Sequence, residues 1–371
     1  MTFDEAILDD PEALERHDSR GILRALATAG AQVRRALVAA QEAGVDRLQP
    51  QDRPRAVLVA ALGESAVVGD VLDLLAEPGS PVPLLCRRGG PLPAWVGPLD
   101  LVVAISQSGR AAGPVDLVAE AGRRGAQVVT VGAADSPLAD ASARGRGIHV
   151  PLGYDAPNSR TSLWSLLTPV LVAADRLGVV RVSEDSLTAT ADLLDGLAQD
   201  LRPSSEAFVN PAKLLASDVA GTVPVVLGDG PLAGVAALRT AAMLTRSARV
   251  PATHGVLPDA AAQIVATFDG PCAPTSVDPF ADPFLDGGSA TALSLVLLRA
   301  QAGDPLADSV RDMAQDARIR VHEVVADGDA PLQRWASLVT RTDFAATYLA
   351  LAHGIDPAIT PHVAQLRRGS R

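Results

Sequence analysis

The stretch that decides the fold is AVLVAALGESAVVGDVLDLL, residues 56–75. Its first seven residues are all apolar, which is typical of a strand buried on both faces of a parallel sheet. The small and polar residues of Gly63-Glu64-Ser65-Ala66 come next. Beyond them, apolar side chains recur at the spacing of a helix with one buried face: Val67, Val71, Leu74 and Leu75. The stretch therefore predicts a strand, a tight turn and a helix in immediate succession.

Further apolar runs of the same kind follow along the chain. They read VPLLC (82–86), LDLVVAIS (99–106), AQVVTVG (126–132) and IHVPL (148–152). Helical stretches with one apolar face separate several of these runs. Because buried strands alternate with helices, we predict an α/β fold whose parallel sheet is covered by helices on both faces.

A second series of strands and helices begins near residue 223 and resembles the first. VPVVLGDGPLAGVAALRTAAML (223–244) parallels the opening stretch, and SLVLLRAQAGDPLADSVRDMA (294–314) parallels LVVAISQSGRAAGPVDLVAEAG (101–122). We interpret the two series as two copies of one α/β unit. Since Ala300 and Ala302 replace the turn serines in the second copy, we expect the first copy to be the better ligand binder.

Helical segments frame the two copies. Residues 1–50 form a predicted N-terminal helical region, in which Ser19 is expected to cap a helix from about residue 20 to residue 43. Residues 51–202 form the first α/β domain, and the turn at 203–205 begins a second domain with C-terminal helices (203–371).

Composition excludes several classes of protein. The chain has 371 residues and a formal net charge of −11, so a nucleic-acid binder with a broad basic surface is not expected. Its two cysteines are too few for a disulfide framework, and no cluster has metal-ligand spacing. No apolar run reaches the ~18 residues of a membrane span, and the acidic N-terminus does not resemble a signal peptide. We therefore expect a cytoplasmic protein without a metal, a cofactor or a membrane partner.

Two turns carry the residues that could bind a ligand. Gly63-Glu64-Ser65-Ala66 and Ser106-Gln107-Ser108-Gly109 each follow a predicted buried strand and precede a helix. Helix capping alone explains the serines of either turn. Two such turns at the carboxyl end of one sheet, however, favour a phosphate-sized anion. No Gly-x-Gly-x-x-Gly follows a strand, and a Walker A loop is absent.

These motifs resemble those of sugar isomerase (SIS) domains, and in particular those of the double-domain bifunctional phosphoglucose/phosphomannose isomerases. The resemblance implies two tandem SIS domains, each a parallel sheet flanked by helices, with helical N- and C-terminal extensions. The residues that carry it are Ser65, Ala66, Gly69, Asp70, Ser106, Ser108, Gly109, the segment 210–216 and the Gly-Ile-Asp-Pro sequence at 354–357.

By this resemblance, the phosphate of a sugar phosphate would be held by the first copy. Its partners would be Ser65, Ser106 and Ser108, with backbone amides near Gly63 and Gly109. Ala111 and Gly113 replace the threonine and glutamate of the family's second turn, and Arg110 could supply charge instead.

The resemblance also implies a role for Arg160, which would steady the charge that develops during the reaction. A surface arginine at the start of a helix is the alternative interpretation of this residue.

The catalytic positions of the family are not maintained. Arg246 stands where the family carries its glutamate base, and guanidinium does not accept a proton in a protein. The segment 258–263, Pro-Asp-Ala-Ala-Ala-Gln, lacks the family's ring-opening histidine. The family's C-terminal lysine falls near Arg367, which keeps the charge. His254 and Asp259 are the candidates for substitute catalytic groups, and solvated loop residues are the alternative for both.

Two functions are consistent with these observations. One is a hexose 6-phosphate-binding protein in which aldose–ketose isomerisation is inefficient, acting as a sensor or as a partner of an enzyme of carbohydrate metabolism. The other is an active isomerase of glucose 6-phosphate, mannose 6-phosphate and fructose 6-phosphate that uses substitute residues. The resemblance further implies a homodimer.

Overall fold

The computed structural model describes residues 2–76, 79–153, 160–273 and 292–369. The side chain of Arg367 and the segment 154–159 that precedes Arg160 lie outside this description. In the described part of the chain the strands are β1 (Val57–Ala61), β2 (Leu84–Arg87), β3 (Leu101–Ser106), β4 (Gln127–Gly132), β5 (Ile148–Pro151), β6 (Val223–Gly228), β7 (Thr253–Val256), β8 (Leu293–Arg299) and β9 (Arg320–Val325).

The helices fill most of the remaining described residues. They are α1 (Pro11–His17), α2 (Ile22–Ala27), α3 (Ala29–Glu42), α4 (Val67–Ala76), α5 (Ala112–Arg123), α6 (Pro137–Arg144), α7 (Leu163–Arg176), α8 (Glu184–Asp200), α9 (Pro211–Val219), α10 (Pro231–Met243), α11 (Ala261–Val265), α12 (Pro305–Asp316), α13 (Pro331–Ala352) and α14 (Pro361–Gly369).

The first sheet has five parallel strands in the order β2-β1-β3-β4-β5. Every residue of β1 and β3 is buried, which is the environment that their uninterrupted apolar sequences predict. On one face, the core formed with α5 and α6 includes Leu58, Val102, Leu117 and Leu138. The predicted parallel sheet covered by helices is confirmed.

The second sheet has four parallel strands in the order β7-β6-β8-β9. Its order repeats the first four strands of the other sheet, with β6 and β8 at the centre, as the internal repeat predicts. Strand β7 was not predicted, because its four residues, THGV, are too few and too exposed to form an apolar run.

The chain divides into two compact units. The 28–195 unit contains the five-stranded sheet, and the 196–371 unit, which also includes the first 27 residues, contains the four-stranded sheet. The residues of the predicted N-terminal helical region are therefore shared, because α2 packs on α13 and α3 packs on α7.

The predicted helix from residue 20 to residue 43 is two helices. The α-helical backbone is interrupted at Thr28, and α3 starts there. Asp18 caps α2 instead of Ser19, with its carboxylate oxygens accepting the N–H groups of Ile22 at 2.7 Å and Leu23 at 2.9 Å. A carboxylate satisfies two of the N–H groups that a helix start leaves unpaired, whereas a hydroxyl satisfies one.

The only lysine of the chain is buried in the 196–371 unit. Lys213 is 0% exposed, and its Nζ donates to the carbonyls of Pro203 at 2.8 Å and Ser205 at 2.6 Å. Its ammonium lies 5.4 Å from the ring centre of Tyr348 on α13. Burial lowers the pKa of Lys213. The ammonium thus fastens the turn that precedes α9.

None of the described helices combines the length and the apolar character that crossing a membrane requires. Within the same residues, no group of three or more His, Cys, Asp or Glu side chains could hold a metal ion.

Candidate functional site

The two serine-containing turns lie side by side in the 28–195 unit. Strands β1 and β3 are neighbours, and Ala61 lies opposite Ile105 in their register. A short 3-10 turn, Gly63–Ala66, follows β1 and packs against β3. The loop 107–110 follows β3 directly. The structure therefore brings both turns to the carboxyl edge of the sheet, where α/β proteins place ligands.

Ser65 and Ser106 are the two inner serines of this edge. They are 7% and 5% exposed. Neither hydroxyl has a hydrogen-bond partner among residues 2–76, 79–153, 160–273 and 292–369. Neither Oγ is among the fully buried polar atoms without a partner in these ranges, so both hydroxyls remain accessible to a ligand that accepts hydrogen bonds.

Ser108 and Arg110 form the outer part of the second turn. Both are exposed, and the Ser108 hydroxyl receives a long 3.4 Å hydrogen bond from the Arg110 N–H. Arg110 forms no ion pair with any residue of the described ranges, so its guanidinium is available for an anion at the mouth of the site.

Gly109 shapes the turn but does not present its amide to a ligand. Its φ is +62°, and its N–H donates to the Ser106 carbonyl at 2.9 Å. A Cβ at this position would lie 2.1 Å from Ser136 Oγ. The structure therefore corrects the expectation for this amide. Gly63 also has a positive φ, +66°, and is exposed at the start of the first turn.

A buried ion pair borders the two serines. Arg160 is 5% exposed, so it is not the surface arginine of the alternative interpretation. Its Nε lies 3.9 Å from Glu64 Oε1 in the first turn, and the Glu64 side chain is only 7% exposed. Glu64 was not predicted as a site residue, although it is an acidic residue in a turn of small residues that directly follows a buried strand.

A side-chain contact connects the second turn to the start of α7. Gln107 Nε2 donates to Ser162 Oγ at 3.3 Å, and Ser162 immediately precedes that helix. Arg160 is two residues before Ser162 in the same segment. The contact therefore fastens the turn to the segment that supplies the buried guanidinium.

The candidate catalytic residues of the 196–371 unit do not form a comparable cluster. His254 is exposed on edge strand β7, and Asp259 is exposed in the turn before α11. No hydrogen bond or ion pair joins them within the part of the chain that the structure describes. Arg246, at the family's base position, is half-buried in an irregular turn, Leu244–Ala248, that follows α10.

The C-terminal Gly-Ile-Asp-Pro sequence forms the loop after α13. The Arg249 guanidinium, from the segment after α10, donates to the carbonyls of Ile359 and, at 3.4 Å, Asp356. His353, at the end of α13, lies edge-on to Phe3 with ring centres 5.5 Å apart, whereas His362 is exposed on α14. These contacts hold the loop after α13 against the segment after α10 and His353 against Phe3.

Comparisons with known proteins agree with this architecture. The family model described as "Bacterial phospho-glucose isomerase C-terminal SIS domain" matches residues 208–369. A bifunctional phosphoglucose/phosphomannose isomerase of Caldicellulosiruptor bescii is 22% identical over 307 residues, which cover 81% of this chain and 85% of the relative.

Solved structures show the same fold over nearly the whole chain. A hypothetical protein of Thermus thermophilus has a TM-score of 0.71 at 15% identity, covering 99% of this chain and 94% of its own. A glucose-6-phosphate isomerase like protein of the same organism has a TM-score of 0.57 at 20% identity, covering 97% of this chain and 98% of its own. The C-terminal domain of glucosamine-fructose-6-phosphate aminotransferase from Francisella tularensis has a TM-score of 0.62 at 13% identity, covering 91% of this chain and 98% of its own.

The two parallel sheets, the matched C-terminal domain and the relative that spans most of the chain lead to one conclusion. Residues 208–369 match a SIS domain of bacterial phosphoglucose isomerases, and the chain as a whole has the fold of, and is similar to, the bifunctional phosphoglucose/phosphomannose isomerases.

Proposed function

We propose that this protein binds a hexose 6-phosphate at the two turns of the 28–195 unit and isomerises it inefficiently. The observation that carries the proposal is the pair of inner serines, Ser65 and Ser106, whose hydroxyls lack a protein partner within the described ranges and are not fully enclosed. The phosphate oxygens of a sugar phosphate would accept hydrogen bonds from both.

The charges around the turns are compatible with a single small anion. Arg160 neutralises Glu64 inside the site, and the exposed Arg110 adds positive charge at its mouth. N–H groups at the start of the helix after β1 add a favourable dipole. Local groups of this kind act at short range, so they are compatible with a chain of net charge −11.

Inefficient isomerisation follows from the chemistry of the reaction. Moving a proton between adjacent carbons requires a base within hydrogen-bond reach of the reacting carbon. By the family resemblance, that base position is Arg246, which cannot accept a proton. The exposed His254 and Asp259 lack the buried surroundings that tune a catalytic acid or base.

Calorimetric titration with fructose 6-phosphate tests the binding. Because a hydrogen bond to a charged group contributes about 1.5–3 kcal/mol, Ser65→Ala and Ser106→Ala are each expected to weaken binding about tenfold or more. Ser142→Ala is the matched control, because Ser142 Oγ also has no partner within the described residues but lies at Gly147, just before the start of β5, at the opposite edge of the sheet from the two turns. Equal affinities of all three variants would contradict the proposed site.

Turnover separates the two functions. We expect conversion of fructose 6-phosphate to glucose 6-phosphate or mannose 6-phosphate to remain well below a kcat of ~1 s⁻¹, the lower end of the ordinary enzyme range. A kcat within the ordinary range that is lost in Asp259→Ala or His254→Ala would instead establish the active isomerase with substitute residues.

A further inference from the structure

The second sheet contains a turn that corresponds to the Ser106–Gly109 turn of the first. It comprises residues 300–304, follows β8 and leads into α12. Alanines stand at 300 and 302 in place of serines. The backbone N–H groups of such a turn remain available to an anion whatever the side chains are, so the loss of hydroxyls alone does not abolish binding.

In this turn, the chain's own carboxylate occupies the place of an anion. Asp229 follows the central strand β6, and its Oδ1 and Oδ2 accept the Ala300 N–H at 2.9 Å and 3.0 Å. The backbone N–H of Gln301 also favours the charged form of this carboxylate. The Asp229 N–H in turn donates to the Leu298 carbonyl at 3.0 Å, which fixes its backbone beside β8.

The other charges of the turn are also satisfied internally. Arg299 is 2% exposed and forms ion pairs with Asp308 at 2.6 Å and Glu323 at 2.7 Å. Asp304 accepts the Ala307 N–H at 2.8 Å and so caps α12. The N–H groups and the guanidinium that could attract a phosphate therefore already have acidic partners from the chain itself.

We infer that the Asp229 carboxylate occupies the 300–304 turn and prevents phosphate from binding there. Each chain then binds one sugar phosphate, at the 28–195 unit. The inference rests on the proposed function of the first pair of turns. It makes Asp229 a specificity-determining residue that acts by occupying N–H donors. It also explains why the repeat of the fold does not imply a repeat of the ligand site.

Binding stoichiometry tests this inference. Titration with fructose 6-phosphate is expected to give one site per chain in the wild type and in Asp229→Asn, since the amide oxygen still fills the turn. Asp229→Ala, which empties the turn, is expected to gain a second site that also accepts inorganic phosphate. Asp218→Asn is the control, because it removes one carboxylate of the same unit at His322 on β9. A folded Asp229→Ala variant with unchanged stoichiometry would overturn the inference.

A second measurement uses the wild-type chain alone. The amide resonances of Ala300 and Gln301 should not shift on adding inorganic phosphate up to saturation of the first site. Shifts of both amides would show that phosphate displaces Asp229 and would overturn the inference even if Asp229→Ala does not fold. Another outcome is that the wild type binds no fructose 6-phosphate while Asp229→Ala gains one site. That result would contradict the proposed function and would support the role of Asp229.

Discussion

At the carboxyl edge of the first sheet, hydroxyl groups suited to an anion lie beside a negatively charged side chain. In the proposed function Ser65 and Ser106 donate hydroxyl hydrogen bonds to an anion, whereas Glu64 places a buried carboxylate beside Ser65. An unpaired buried carboxylate would repel a phosphate and would cost several kcal/mol of desolvation. The guanidinium of Arg160, 3.9 Å away, offsets both effects. The affinity of the proposed site for an anion would therefore depend on the buried Glu64–Arg160 pair.

The surroundings of His149, in the same unit, predict how the stability of the protein depends on pH. His149 Nε2 lies 3.2 Å from the Ala133 carbonyl, which can only accept, so this nitrogen carries the proton and Nδ1 accepts from the Thr130 hydroxyl at 2.8 Å. Burial lowers the pKa of His149 below its ordinary value of 6.5. The unfolded chain therefore takes up a proton before the folded chain does, and stability is lost as pH falls below 6.5.

Urea unfolding at a series of pH values checks this prediction. One extra proton bound in the unfolded state corresponds to a slope of up to about 1.4 kcal/mol per pH unit. The slope between pH 6.5 and 5 should be smaller in His149→Gln than in the wild type. The difference between the two proteins at pH 8, where the imidazole is neutral in both states, measures the lost packing and hydrogen bonds without a contribution from protonation. Parallel pH profiles would show that His149 does not contribute.

Among the secondary-structure elements, helices α3 and α8 each carry a glycine, in contrasting surroundings. Gly30 lies on α3, where an added Cβ would meet Asp195 Oδ1 at 2.2 Å and the Ala191 carbonyl at 2.5 Å. This glycine allows α3 and α8 to approach closely. Gly196 is exposed on α8, and an added Cβ would meet no atom within 4 Å.

The two glycines therefore predict stability changes of opposite sign. Gly196→Ala should raise the free energy of unfolding by up to ~1 kcal/mol, the difference in helix propensity. Gly30→Ala should lower it by about 1–3 kcal/mol, because overpacking outweighs the same propensity gain. Each variant is the control for the other in a urea titration, and changes of the same sign in both would contradict the packing of α3 on α8.

The elements that could be predicted from the sequence are those with a continuous apolar signal. Strands β1, β3 and β8 are buried along their whole length, so their sequences contain little besides apolar residues. Strand β7 was missed because it lies at a sheet edge with exposed side chains. The break at Thr28 was missed because apolar spacing continues across it, although the two helices pack in different units.

The placement of the two turns could be predicted from the strand order, whereas the side-chain contacts between distant parts of the chain could not. Parallel neighbouring strands bring Ser65 and Ser106 to one edge, and this follows from strand order alone. The Glu64–Arg160 pair and the Asp229 carboxylate depend on side chains that meet across long sequence separations. Local sequence patterns contain no information on contacts between residues that are far apart in the chain. The amide of Gly109 was assigned to a ligand because the hydrogen bond inside its turn cannot be read from Ser-x-Ser-Gly.

At the scale of the whole molecule, a duplicated fold has diverged in its chemistry. One unit has five strands and partnerless serine hydroxyls within the described ranges, and the other has four strands and a turn filled by Asp229. The net charge of −11 excludes a broad basic surface but permits one small anion held by local groups. The proposed function therefore depends on the turns, whereas the sheets provide the common framework.

The burial of Lys213 has a consequence for the protein's reactivity toward acylating reagents. Apart from the α-amino group, the side chain of Lys213 is the only primary amine in the sequence. It is 0% exposed, and its Nζ donates to two carbonyls. A succinimidyl ester should therefore leave the side-chain amine of the native protein unmodified and should acylate it readily in urea. Intact-mass spectrometry would count the added groups, and rapid acylation of Lys213 under native conditions would contradict its burial. Labelling of this single amine thus provides a direct count of molecules in which the 196–371 unit has opened.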